Sequence, residues 1–139
     1  MSPRPRARAN RGFTLMELMI ALTIVSILVG IAVPIYSDAQ RKSRRGQAKA
    51  DLVEAAQMME RYYSLNNKYS DSTLKDIYGY AQSPRTGAAH YALELSADAK
   101  SFKITATPSA ASGQAKDKCG TLSLDSKGEK TASGVNCWD

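Results

Sequence analysis

The sequence predicts an α+β fold in which one long N-terminal helix packs on a small antiparallel β-sheet. Three observations lead to this prediction. The stretch from Leu18 to Ile35 holds no charged residue and no Asn, Gln or His. Beyond it, apolar residues recur at helical spacing to about Tyr63, and after residue 89 they alternate with polar residues in short runs. Such a change of period from 3.6 to 2 is typical of a helix followed by strands.

The apolar stretch has about the length that crosses a bilayer, since a hydrocarbon core roughly 30 Å thick needs about 20 mostly apolar helical residues. We therefore predict that residues 13–36 form a transmembrane helix, the first half of the long helix. Gly30 and Pro34 are its weak points, because proline removes a backbone N–H donor and its ring clashes with the preceding turn. We predict a helix kink at these two residues.

Residues 1–12 form a short leader with four arginines and no acid. The whole chain has 19 basic and 13 acidic residues and a net charge of +6, and without the leader 15 basic residues face 13 acids. Net charge therefore gives little support to nucleic-acid binding. The leader and apolar core are similar to a secretory signal, but no small-residue cleavage site follows the core. The small residue is Gly12, which precedes the core.

A specific motif lies where the leader meets the apolar stretch: Gly12-Phe13-Thr14-Leu15-Met16-Glu17-Leu18. With the apolar run and Pro34, it resembles the prepilin motif of type IV pilins and type II secretion pseudopilins. Near the C-terminal end, Cys119-Gly120-Thr121-Leu122 and Cys137-Trp138 look most like minor pilins of the PilE type. The resemblance implies that a membrane peptidase cuts between Gly12 and Phe13 and that Phe13 is then N-methylated. It also implies that Phe13 and Glu17 guide the assembly of subunits. An uncleaved signal anchor is the alternative.

Residues 37–139 are predicted to form an extracytoplasmic domain that begins with an amphipathic helix over 37–63. The apolar residues of its core face recur every three or four positions: Ala48, Leu52, Ala55, Met59 and Tyr62. The opposite, solvent-facing side is predicted to hold Lys49, Asp51, Glu54, Gln57 and Glu60. We interpret the basic cluster Arg41–Lys49 as a solvated face, with DNA, anionic lipid headgroups or acids of neighbouring subunits as alternative partners.

A loop over 64–88 and a sheet with a C-terminal region over 89–139 complete the predicted domain. The loop is rich in Asn, Ser, Asp, Gly and Pro, and we expect a short helical turn at Thr73–Tyr78 and three tyrosines that fix the loop to the core. Alternation predicts strands around Tyr91–Leu95, Phe102–Ala106, Leu122–Leu124 and Glu129–Ala132. One apolar and one polar face suit an antiparallel sheet that rests on a helix.

Two cysteines, Cys119 and Cys137, follow in the C-terminal region. If this region lies outside the cytoplasm, a disulfide is expected, and two free buried thiols are the alternative. One histidine and two cysteines do not supply a tetrahedral zinc site, so we expect no metal and no cofactor. The histidine, His90, falls on the predicted polar face of a strand, and we therefore expect no enzymatic activity.

The resemblance implies a structural subunit of a type IV pilus that supports twitching motility, adhesion or DNA uptake. The implied partners are other pilin subunits, the prepilin peptidase and methylase, the assembly platform with its ATPases, and inner-membrane lipid before assembly. Because basic residues flank the apolar stretch on both sides, charge alone barely decides the topology. The leader and the cysteines place residues 37–139 in the periplasm, from where the subunit enters an extracellular pilus.

Two alternatives remain open from the sequence. A type II secretion pseudopilin has the same architecture, although the cysteine pair favours a pilus subunit. A filament-tip adhesin or DNA-binding module belongs to another functional class, and it would use the loop 64–88 and the basic cluster.

Overall fold

The structure is a computed structural model that describes residues 12–139, so residues 1–11 of the predicted leader lie outside the described residues. Its elements, in chain order, are helices α1 (Leu15–Asn66) and α2 (Leu74–Ile77), strands β1 (Gln82–Ser83), β2 (Tyr91–Ala97) and β3 (Phe102–Pro108), a 3-10 helix (Gln114–Lys116), and strands β4 (Leu122–Asp125) and β5 (Lys130–Ala132). The predicted α+β class is confirmed. One compact unit ends at Ser37 and a second covers Asp38–Asp139.

In the first unit, α1 exposes apolar side chains on every side. The large apolar residues from Leu15 to Tyr36 are 51–77% exposed. By length and composition, α1 is the one helix in the described part of the chain that could cross a membrane. Pro34 lies inside this helix. Because proline has no N–H, the carbonyl of Gly30 lacks its helical donor, and the kink at these two residues stays a prediction.

In the second unit, α1 extends three residues beyond its predicted end at Tyr63. It ends at Asn66, and Asn67 adopts a left-handed conformation with φ 56°. The N–H of Asn67 donates to the carbonyl of Tyr63 at 2.7 Å. This single bond is the αL form of a helix C-cap, which asparagine tolerates better than most residues. The cap explains why the helix stops there.

The core of the second unit lies between α1 and one face of the sheet. Four members of the predicted helix stripe are 0% exposed: Ala48, Leu52, Ala55 and Met59. They belong to one cluster with the inward-facing residues of β2, β3 and β4, namely Tyr91, Leu93, Phe102, Ile104, Ala106 and Leu122. Alternate strand residues are buried, as a period of 2 requires. Four of the five residues of the predicted stripe and the inward faces of these strands are confirmed, whereas Tyr62 is half-buried and lies outside the cluster.

The sheet has five antiparallel strands in the order β1-β2-β3-β4-β5. The four predicted strands correspond to β2–β5. The additional strand β1 has only two residues, Gln82 and Ser83, and lies inside the predicted loop. A strand of two residues is too short to show alternation, so the sequence pattern does not reveal it.

Two charged residues predicted to face solvent are buried instead. Asp51 is 1% exposed and Arg45 is 7% exposed. The predictions for these two residues were wrong because a helical pattern assigns charged residues to the solvent-facing side and contains no information about their ion-pair partners. Both charges have partners in distant segments, which offset the desolvation of a buried charge.

Candidate assembly and binding sites

The start of α1 is closed by a capping box. Thr14 directly precedes the helix, and its Oγ1 accepts a hydrogen bond of 3.2 Å from the N–H of Glu17. The N–H of Thr14 donates in turn to Oε2 of Glu17 at 3.4 Å. From the sequence, Glu17 was predicted only to guide assembly, and its capping role was missed. The spacing Thr-x-x-Glu before an apolar run is the signal that could have revealed it.

The other motif residues lie in front of the helix. Phe13 is 80% exposed, and a Cβ added at Gly12 would meet no described heavy atom within 4 Å. The structure therefore brings Glu17 together with Thr14, while Gly12 and Phe13 remain accessible. Nothing in the described fold requires glycine at position 12.

Arg45 and Asp117 form a buried ion pair between α1 and the segment that follows the 3-10 helix. Nη1 of Arg45 lies 2.5 Å from Oδ1 of Asp117. The hydroxyl of Tyr91 donates to the other carboxylate oxygen at 3.3 Å, and the side-chain amide of Gln114 donates to the Tyr91 hydroxyl at 3.0 Å. Burial and the Asp117 carboxylate raise the pKa of Tyr91 to about 12, against an opposing contribution from Gln114, so the hydroxyl keeps its proton at neutral pH. This network fixes the segment to the helix.

A second buried carboxylate, Asp51, holds the loop between α1 and β2. It accepts hydrogen bonds from the Tyr78 hydroxyl at 3.1 Å, the Ser83 hydroxyl at 2.5 Å and the Gln47 side-chain amide at 3.0 Å. Burial, and secondarily Asp51, raises the pKa of Tyr78. The sequence predicted Tyr78 as an anchor of this loop but did not indicate that Asp51 is its acceptor.

Arg85 completes the attachment of this loop. Its guanidinium pairs with Glu54, and its Nε donates to the Tyr78 hydroxyl at 3.0 Å. The same guanidinium lies 5.1 Å and 5.7 Å from the ring centroids of Tyr78 and Tyr80, within the range of cation–π attraction. Among the three loop tyrosines, Tyr69 and Tyr78 are buried, whereas Tyr80 is 37% exposed.

The predicted disulfide is confirmed. Cys119 and Cys137 are bonded, with their Cα atoms 5.7 Å apart and a sequence separation of 18. Both cysteines are buried, at 0% and 4% exposure. Gly134 lies inside the loop that they close, and a Cβ there would approach the Lys118 carbonyl oxygen to 2.4 Å. Glycine is therefore required where the chain passes beside the disulfide.

His90 does not occupy the exposed strand position that its place in the pattern predicted. It directly precedes β2 and is half-buried, and its Nδ1 atom is buried without a hydrogen-bond partner among the described residues. Burial, with a smaller contribution from Arg44, lowers the pKa of His90. The histidine is therefore neutral at physiological pH.

The predicted basic cluster is largely paired. Arg41 lies 3.3 Å from Asp38, and Arg44 donates to the Ser112 carbonyl at 3.0 Å. Lys49 donates to the Asp139 carbonyl at 3.3 Å. Arg44, Lys49 and the buried Arg45 therefore hold the helix to later segments, whereas the pair of Arg41 with Asp38 lies within the helix.

Comparison with known proteins gives two family matches. Residues 34–123 match the family described as type IV minor pilin ComP, DNA uptake sequence receptor. Residues 7–33 match the prokaryotic N-terminal methylation motif. The two matches adjoin at the end of the apolar stretch, so both the motif and the following domain have recognisable relatives.

Individual relatives come from pili and from a secretion system. The type IV major pilin protein PilA of Myxococcus xanthus is 40% identical over 62 residues, which cover 45% of this chain and 28% of PilA. The type II secretion system core protein G of Pectobacterium carotovorum subsp. carotovorum is 34% identical over 60 residues, covering 43% of this chain and 38% of that protein. The chain therefore matches less than half the length of these two curated relatives.

A solved structure extends the similarity over most of the chain. A type IV pilin from Shewanella oneidensis superposes with a TM-score of 0.52 and 33% sequence identity. The alignment covers 71% of this chain and 98% of that pilin. The shared fold therefore includes nearly the whole of the Shewanella pilin.

Proposed function

The chain belongs to the type IV pilin family, and from this premise we propose that it is a minor pilin, a structural and non-enzymatic subunit of a type IV pilus. The observation that carries the proposal is the apolar part of α1, which is exposed on all sides behind the prepilin-like motif. Such a surface requires lipid before assembly and the helices of other subunits afterwards. We place Asp38–Asp139 on the periplasmic side before assembly.

The proposed maturation is cleavage between Gly12 and Phe13 followed by N-methylation of Phe13. The match of residues 7–33 to the methylation motif supports this step. Gly12 has no packing role in the described structure, so its value lies in fitting the extended substrate into a narrow peptidase site. Cleavage before the apolar core retains the anchor in the mature subunit.

A bulky residue at position 12 tests this step. We expect Gly12→Ile to leave the unprocessed chain in the membrane, whereas Gly46→Ala, which also adds a Cβ without a clash, should be processed normally. Mass spectrometry of membrane and sheared-filament fractions reads the N-terminus and the added methyl group. A mature, methylated Phe13 in the Gly12→Ile variant would contradict the proposed cleavage site.

Glu17 is proposed to guide assembly through its charge. Cleavage frees an amine at Phe13 that is cationic at neutral pH and stays so after methylation. In a filament, the amine of an incoming subunit would pair with Glu17 of its neighbour. An offset register would leave both charges unpaired in apolar surroundings, which is costly. The pair would therefore select one axial register.

The competing function within the architecture is that of a type II secretion pseudopilin, as in the Pectobacterium relative. The disulfide between Cys119 and Cys137 favours a pilus subunit, because major pseudopilins generally lack such a closure. Identification of the subunit in sheared pili, and its absence from a secretion pseudopilus, is the deciding measurement.

A second candidate function is DNA binding by the Asp38–Asp139 unit, favoured by the family match over residues 34–123. Three exposed lysines on β3, the β4–β5 turn and β5 supply positive charge: Lys103, Lys127 and Lys130. Nζ of Lys130 lies 5.5 Å from the ring centroid of Trp138, which adds an aromatic side chain to the basic surface. We expect the affinity for duplex DNA to fall as the salt concentration rises. In a plot of log K against the logarithm of the salt concentration, each phosphate contact contributes a slope of about −0.9. Unchanged affinity after replacing the three lysines with glutamine would exclude this surface.

A further inference from the structure

A cavity of about 510 Å³ in the second unit collects basic side chains from two separate segments. Arg41, Lys42 and Arg45 line it from the part of α1 that follows the apolar stretch, and Lys116 and Lys118 line it from the segment beside the 3-10 helix. Three acids also line the cavity, so its lining has a net charge of +2. The basic cluster predicted from the sequence, Arg41–Lys49, includes only the helical part of this lining.

The existing ion pairs leave three of the five cations without an ion-pair partner among the described residues. Arg45 is paired with Asp117, and Arg41 with Asp38. Within residues 12–139, Lys42, Lys116 and Lys118 make no ion pair, and all three are exposed. Their ammonium groups are therefore available to an anionic ligand, and a lysine ammonium binds phosphate as a compact point charge.

We propose that this cavity binds the phosphate group of an anionic lipid headgroup while the chain is anchored in the membrane. The proposal rests on the proposed function, because it requires the apolar part of α1 to be inserted. It identifies a binding partner of the subunit before assembly.

The position of the lysines along the chain favours lipid as the source of the phosphate. Lys42 follows Ile35, the last residue of the apolar stretch, by seven residues, a rise of about 10 Å along a helix. The headgroup layer on each side of the hydrocarbon core is about 5–8 Å thick. Any tilt of the helix only shortens the distance from Lys42 to the bilayer. Lys116 and Lys118 line the same cavity as Lys42.

This position disfavours DNA as the ligand of the anchored subunit. A duplex that reached the cavity would lie within about one Debye length of the membrane, roughly 8–10 Å. The phosphates of an anionic bilayer would repel it there. The same lipid phosphates attract juxtamembrane lysines, by about fivefold in affinity for each lysine. Lipid binding also gives a reason for positive charge on the outer flank of the span, which positive-inside counting does not favour.

The test uses the full chain in nanodiscs that contain phosphatidylcholine and a minority of phosphatidylglycerol. Native mass spectrometry of the released protein measures the ratio of the two retained lipids. The cavity variant carries Lys42→Gln, Lys116→Gln and Lys118→Gln. The matched control carries Lys68→Gln, Lys75→Gln and Lys100→Gln, which removes the same charge at three exposed positions outside the cavity. We expect at least about tenfold enrichment of phosphatidylglycerol for the wild type and the control, and none for the cavity variant.

Each other outcome overturns a defined statement. Equal enrichment in the wild type and the cavity variant overturns the proposed cavity. Insertion of the wild type without enrichment overturns lipid binding and leaves anchoring intact, whereas failure to insert overturns the proposed function itself. Displacement of the lipid by inorganic phosphate shows a general phosphate site and contradicts a lipid headgroup site. Loss of DNA binding without loss of lipid enrichment in the cavity variant assigns the cavity to nucleic acid instead.

Discussion

At the scale of single residues, the environment of His90 opposes its protonation. Its buried Nδ1 has no hydrogen-bond partner in the described part of the chain, and burial and Arg44 lower its pKa from 6.5. The unfolded chain therefore binds a proton at a higher pH than the folded chain. Stability is then complete above the unfolded pKa and is lost as the pH falls through 6.5 towards the folded pKa.

We expect the free energy of unfolding to decrease from pH 7.5 to pH 5, and His90→Gln to reduce this decrease, because glutamine does not titrate. Urea unfolding of the full chain in detergent can be followed through Trp138, the single tryptophan. His90→Gln with the full wild-type pH dependence would show that other groups cause it.

Glu17 carries two properties that substitutions can separate. Its carboxylate caps α1 through Thr14, and its charge is proposed to pair between subunits. Glutamine also closes a capping box but has no charge. Thr14→Ala removes the cap, at a cost of about 1 kcal/mol of helix stability, and keeps the charge.

We expect Glu17→Gln to be inserted and processed normally but to be almost absent from sheared filaments. Thr14→Ala should be incorporated at close to the wild-type level. Quantitative mass spectrometry of membrane and filament fractions measures both. The reverse pattern, with Glu17→Gln assembled and Thr14→Ala excluded, would show that the cap and not the charge guides assembly.

At the scale of elements, α1 is a scaffold to which distant segments attach through buried polar groups. The sequence predicted its apolar stripe because the period of 3.6 is a local property of the helix. It did not predict the burial of Asp51 and Arg45, because their partners Ser83 and Asp117 lie 32 and 72 residues away. Long-range pairing of this kind leaves no signal in a local pattern. For the same reason, the sequence did not predict that Lys116 and Lys118 join the helical residues in the basic cavity.

The attachment of the loop through Asp51 can be tested directly. Asp51→Ala leaves the hydroxyls of Tyr78 and Ser83 without their acceptor in a buried site. Loss of hydrogen bonds to a buried charge costs about 1.5–3 kcal/mol each, so we expect at least about 3 kcal/mol of destabilisation. Urea unfolding measures the change, and limited proteolysis should cut within residues 67–90. The exposed position Gln57→Ala is the control, and equal stability of both variants would contradict the role of Asp51.

At the scale of the whole molecule, the chain combines a local motif with a domain stabilised by long-range contacts. These are the disulfide, the pair of Arg45 with Asp117 and the hydrogen bonds of Asp51. The motif, the apolar stretch and the strand alternation are contiguous in sequence, and they sufficed to predict the class of fold and the pairing of Cys119 with Cys137. Strand β1 was missed because two residues are too few to show alternation. The capping of α1 by Thr14 was missed because Glu17 was interpreted only through its charge.

The disulfide is the covalent cross-link on which the C-terminal part of the sheet depends. It closes a loop with a sequence separation of 18 that includes β4 and β5. The chain-entropy relation gives about 3 kcal/mol for a loop of this length, a large fraction of the stability of a small domain. Two variants separate the loss of the bond from the effect of a free thiol. Cys119→Ser and the double variant Cys119→Ser/Cys137→Ser both lack the bond, but only the single variant leaves a reactive thiol.

We expect both variants to lose about 3 kcal/mol in urea unfolding and to accumulate at lower levels in the membrane, since an opened domain is degraded before it assembles. Reduction of the wild type should reproduce the loss and leave the double variant unchanged. Unchanged stability and subunit levels in the double variant would show that packing around Gly134 and Trp138 holds this region without the bond. In that case the buried contacts of β4 with β3, and not the cross-link, determine whether the domain survives until assembly.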